Sequence, residues 1–92
     1  MTDILRQIEL RIRDRCGAAY LYGSQLTSPS SDRDIDVLLI SEPENRTVLL
    51  SELVVLQSQF RQVIHAIFVT EAEIDQNRHL QAIVASARPL VL

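Results

Sequence analysis

LYGSQLTSPSSDRDIDVLLI, residues 21–40, is the stretch on which the rest of this 92-residue chain depends. It has an apolar run ending in Gly23-Ser24, a short polar loop, and a second apolar run from Asp34 to Ile40. The second run opens with two carboxylates one residue apart. In an extended strand successive side chains alternate between faces, so Asp34 and Asp36 share a face and Ile35 takes the other. Side by side, two such anions repel. A divalent cation turns that repulsion into attraction, and Mg²⁺ prefers hard oxygens from one or two carboxylates plus substrate phosphates. Gly23 lets backbone approach a bulky anion, and Ser24 offers a hydroxyl and an N–H to a phosphate oxygen. The bland alternatives are a plain Gly-Ser turn and a solvated or capping Asp-x-Asp. The two features found together point to a metal-assisted nucleotide site.

Working outward, residues 2–15 place Ile4, Leu5, Ile8 and Ile12 at helical spacing, and Gly17 ends that helix. Residues 18–22, AAYLY, read as a buried strand. The loop from Ser24 to Arg33 holds serines, a threonine and Pro29, so it forms no long regular element. Arg33 either contacts a triphosphate or pairs with Asp32 on the surface. Beyond the Asp34–Ile40 strand, Ser41-Glu42-Pro43-Glu44 starts a helix that runs to about Arg61. Residues 63–70, VIHAIFVT, form a third strand. Thr70 and Glu73 make a capping box for a helix carrying Ile74, Leu80, Ile83 and Val84, and Arg88-Pro89 stops it. Residues 89–92 read as a short edge strand. The expected architecture is α/β (α+β): a small mixed sheet of three to four strands with helices packed on it. Residues 1–92 form a single domain.

Composition narrows the function classes. With 47 % hydrophobic and 23 % charged residues the chain is an ordered globular domain. Its net charge of −3 and nine scattered Lys+Arg argue against a protein that wraps nucleic acid. No apolar run reaches the ~20 residues a membrane helix needs, and the N-terminus opens an amphipathic segment instead of a signal peptide. The lone Cys16 forms no internal disulfide and reads as a small buried residue near a helix end, which fits a cytoplasmic location. The helix after residue 43 carries more apolar residues than one face holds: Val48, Leu49, Leu50, Leu53, Val54, Val55, Leu56 and Phe60. That excess predicts a homo-oligomer or a partner protein, with Leu49, Leu53, Leu56 and Phe60 as the contact face.

Gly-Ser, nine intervening residues, then Asp-Ile-Asp inside a Val/Leu/Ile strand resembles the signature of the nucleotidyltransferase superfamily that includes DNA polymerase beta and kanamycin nucleotidyltransferase. In size the chain is similar to the minimal nucleotidyltransferases, small proteins often encoded beside a HEPN-type partner in toxin-antitoxin pairs. The resemblance implies transfer of AMP from ATP to a hydroxyl, with pyrophosphate released. It assigns Mg²⁺ to Asp34 and Asp36, and nucleotide binding to Gly23, Ser24 and Arg33. The acceptor it implies is a hydroxyl on a partner protein or another acceptor; in a HEPN pair the resemblance implies an antitoxin that restrains its partner by adenylylating it or by binding it. A small-molecule acceptor, as in aminoglycoside adenylylation, needs a pocket that this chain has little length to build.

Two departures stand out. Active relatives carry a third carboxylate on the next strand, where this chain has His65, with Ile67 and Val69 following on the same face. Three readings compete: His65 as catalytic base or weak ligand, a structural His65 in an inactive member, or an acid such as Glu44 filling the gap. The second departure is Gln25, which has no charge to offset a triphosphate where many relatives are basic. His79 reads as a surface residue. The alternative function is a non-catalytic, protein-binding subunit with the same fold.

Overall fold

The computed structural model of the protein describes residues 2–27 and 33–92. The chain runs α1 (Thr2–Ile12), β1 (Ala18–Tyr22), α2 (Ser24–Thr27), β2 (Ile35–Ile40), a 3₁₀ turn (Pro43–Asn45), α3 (Arg46–Phe60), β3 (Ile64–Val69), α4 (Glu71–Asp75), α5 (Arg78–Ser86) and β4 (Arg88–Pro89). The strands form one sheet in the order β3-β2-β1-β4. β1 is antiparallel to both β2 and β4, and β2 is parallel to β3. This is the expected mixed sheet. Its parallel pair needs a long crossover, and α3 supplies it.

Strand alternation divides the sheet into two faces. Ala19 and Leu21 of β1 and Ile35, Val37 and Leu39 of β2 are buried with Ile4, Leu5, Ile8 and Ile12 of α1 and Leu49, Leu53 and Leu56 of α3. Each Leu, Ile or Val among them contributes roughly 1.5–3 kcal/mol on leaving water. The opposite face carries Tyr20, Tyr22, Asp36, Leu38, Ile40, His65, Ile67 and Val69. Leu38 and Val69 are buried there too, and α5 lies against β1. Polar groups on that face are therefore confined to its margins, chiefly to the end where β2 and β3 begin.

Besides α1, which ends at Ile12 with residues 13–15 in a turn so that Gly17 lies well beyond its last residue, the chain departs from expectation in four places. α3 starts at Arg46, not at Pro43, because Pro43 opens a 3₁₀ turn. Arg61 closes α3 in the left-handed region, φ 52°, with its N–H donated to Gln57 O. The helix expected from residue 70 onward is broken in two. Its Thr70/Glu73 capping box forms as read, but Asn77 is extended and its side chain accepts from Leu80 N–H, which starts α5 afresh. The last strand is confined to Arg88–Pro89, and Leu90 beyond it is buried with its N–H donated to Ala19 O.

The fourth correction concerns α3. Leu49, Leu53 and Leu56 are core residues and Phe60 packs against them, so that face meets the sheet and α1, not a partner. The exposed apolar residues are Val48, Leu50, Val54 and Val55. Cys16 is buried as read. Its thiol donates to Ala18 O (3.0 Å) and Ile40 O (3.3 Å), and burial pushes its pKa up despite those backbone contacts. His79 is exposed. Among the described residues no helix is long and apolar enough to cross a membrane.

Candidate active site

Strand register assembles the site. Tyr22 of β1 stands opposite Asp36 of β2, and Asp36 opposite His65 of β3. The three side chains therefore form one row across adjacent strands, on the face away from α1 and α3. Asp34 lies just before β2, and its Oδ2 is 2.9 Å from His65 Nε2. Both side chains are open to solvent, Asp34 at 55 % and His65 at 60 %. An ionised carboxylate only accepts hydrogen bonds, so in a neutral ring this contact selects the tautomer with its proton on Nε2 and a lone pair on Nδ1. An exposed ring held by a carboxylate is not a structural core histidine.

Gly23 follows Tyr22 with φ +78°, a conformation that costs any other residue strain. A Cβ at this position would stand 2.5 Å from Asp36 Oδ2. The missing side chain is thus what lets the turn close on the carboxylate. None of the ion pairs among described residues involves Asp36. Its charge is felt next door: burial, and then the Asp36 carboxylate, push the Tyr22 phenol above its ordinary pKa. Ser24 heads α2, directly after the glycine.

Gly23, Ser24, Asp34, Asp36 and His65 are accordingly gathered at one end of the sheet, and Arg33 adjoins Asp34 with its side chain exposed. The alternative pairing of Arg33 with Asp32 falls on residues 28–32, outside the described residues. One expectation is corrected. Glu44 lies in the 3₁₀ turn after the far end of β2, about 20 Å along a six-residue strand, and cannot complete the acid site. Gln25 is 1 % exposed and turned inward, its Nε2 donating to Arg33 O at 2.9 Å.

Residues missed in the sequence are Tyr22, whose role follows from register, and Gln62, which donates to the same Arg33 carbonyl at 2.8 Å. Alternation from Asp36 back across the hairpin could have found Tyr22. Nothing in the sequence marks Gln62.

Among the described residues no three His, Cys, Asp or Glu side chains form a ligand set for a metal by themselves. The donors present nevertheless suit a hard divalent cation shared with substrate. Among the described residues Asp36 has no cationic partner, and Asp34 is exposed beside it in sequence, so two carboxylates are available, with phosphate oxygens and water to make up the number. A cavity of about 790 Å³ lies at the opposite end of the sheet, among Arg13, Arg15, Ser41, Glu42, Thr70 and Glu71. It mixes both signs of charge and contains neither Asp34 nor Asp36.

No family model, curated protein or solved structure matches this chain.

Proposed function

We propose that the protein is a minimal nucleotidyltransferase-like domain of the cytoplasm that transfers AMP from ATP to a hydroxyl of a partner protein. The observation that carries this reading is the side-chain-free Gly23 closed onto Asp36, which has no ion-pair partner among the described residues and is in register with His65, which in turn holds Asp34. Asp34 and Asp36 would hold Mg²⁺, which when bound offsets the negative charge of the triphosphate. Gly23 and Ser24 seat the phosphates close to the backbone, and Arg33 adds a guanidinium at the rim. His65 takes the place of the third carboxylate. Its Nδ1 accepts the acceptor's hydroxyl proton while Nε2 stays anchored on Asp34. The acceptor oxygen bonds to the α-phosphorus, the α–β phosphoanhydride bond breaks, and pyrophosphate leaves with its electron pair.

A HEPN-type protein is one acceptor that the sequence resemblance implies. ATP labelled on the α-phosphate should mark such a partner in the presence of Mg²⁺, and His65→Ala should reduce the rate by about 10²–10⁴-fold, the usual contribution of a general base. Label transfer undiminished by His65→Ala would remove the histidine from the mechanism.

A second reading, a non-catalytic binding subunit, has its own support in the outer face of α3, where Val48, Leu50, Val54 and Val55 stand exposed. It predicts a stable complex with no label transferred.

A further inference from the structure

Two buried glutamines converge on a single backbone oxygen. Gln25 Nε2 donates to Arg33 O at 2.9 Å and Gln62 Nε2 donates to it at 2.8 Å. Both residues are among the few buried polar ones of the described residues. A carbonyl has two lone pairs, so this one is fully used.

The origins of the two donors matter. Gln25 sits on α2, one residue after the Gly23-Ser24 turn. Gln62 sits between the left-handed end of α3 and the start of β3, three residues before His65, with its own N–H donated to Gln57 O. Arg33 directly precedes Asp34. The same junction is tied by the Ile35 N–H to Val63 O and by the Ile64 N–H to Gln57 Oε1. One carbonyl thus joins the three segments that carry the proposed phosphate turn, the acid pair and the histidine. It is also turned inward while the Arg33 side chain stays outside.

We infer that Gln25 and Gln62 are positioning residues that clamp the Arg33 carbonyl and so set where Asp34 meets His65. The inference rests on the nucleotidyltransferase reading for its catalytic meaning but not for its geometry. Each glutamine holds one side of the junction: Gln25 sets the phosphate turn relative to Asp34, and Gln62 sets β3. Their effects are coupled because they share an acceptor. Losing one donor leaves the carbonyl half satisfied, whereas losing both strands it in the interior.

The test uses Gln25→Met, Gln62→Met and the double variant, since methionine keeps the length and loses the donor. The first readout is the side-chain ¹⁵N spectrum of His65, compared with that of Asp34→Ala, in which the contact is gone. The clamp predicts a His65 signal displaced toward the Asp34→Ala position in each single variant and coincident with it in the double. The second readout is Mn²⁺·ATP affinity, expected to fall only a few-fold in each single variant and by about tenfold or more in the double. A double variant that keeps the wild-type His65 spectrum overturns the clamp, as does a stability loss with that spectrum unmoved. If the double variant does not fold, the singles decide: an unshifted His65 in both overturns it. A wild-type protein that binds no Mn²⁺·ATP contradicts the nucleotidyltransferase reading instead, and the His65 spectra still judge the clamp.

Discussion

Gly23 and Asp36 show how one residue's missing atoms decide another's role. With φ +78° and only 2.5 Å between a built Cβ and the carboxylate, Gly23→Ala incurs both backbone strain and a clash. We expect a stability loss of about 1–2 kcal/mol from the left-handed backbone alone, read from a denaturant midpoint. Nucleotide binding should fall further than in Ser24→Ala, because Asp36 must move. Tyr22 offers an independent check on where that carboxylate lies. Its phenol is raised by burial and by Asp36, so folded protein disfavours the phenolate. Any stability this contributes is fully present below the ordinary tyrosine pKa of about 10 and is lost as pH rises through the folded value. In a Tyr20→Phe background, Asp36→Asn should lower the Tyr22 titration midpoint without abolishing the whole shift. An unmoved midpoint in an absorbance titration contradicts the register drawn here. At this scale the acids, the glycine and His65 were legible, because strand alternation and conformational need are written in single residue types. Gln25 and Gln62 were not: an amide side chain pairs with whatever backbone the fold brings to it.

At the scale of elements, α3 separates what hydrophobicity reveals from what it hides. Its apolar residues announced a helix with too much to bury, yet they did not say which stripe the sheet takes. The covered stripe is Leu49, Leu53 and Leu56, and the uncovered one is Val48, Leu50, Val54 and Val55. Leu53→Ala should cost about 2–5 kcal/mol through lost burial and the cavity left behind. Val54→Ser should change stability by less than about 1 kcal/mol, since that side chain is half exposed already. Thermal melts of the two variants check the assignment, and comparable losses would contradict it. If the outer stripe is an interface, Val54→Ser and Val55→Ser together should weaken a complex while leaving the monomer's melt nearly unchanged. The break between α4 and α5 was hidden for a different reason. Asn77 is only mildly unfavourable inside a helix, and its strength as a cap appears once its side chain meets the Leu80 N–H.

Across the whole molecule the order of the strands and longer helices was readable, since helix and strand periodicities differ and Gly17, Gly23, Pro43 and Pro89 punctuate them. Strand order and register were not, because they depend on which hydrophobic faces meet. Those two features build the site: β2 lies between β1 and β3, so the glycine turn and the histidine flank the acids from opposite sides. The proposed chemistry would then sit where β2 and β3 begin, away from the cavity at their far ends. The central claim is that this end of the sheet takes a metal-bound nucleoside triphosphate. Titration calorimetry of the intact protein with ATP and Mg²⁺ tests it most directly. We predict saturable binding that needs the metal and disappears when Asp34→Asn and Asp36→Asn are combined in a protein that still folds. Heat that is absent in the wild type, or that survives the double substitution unchanged, would contradict it.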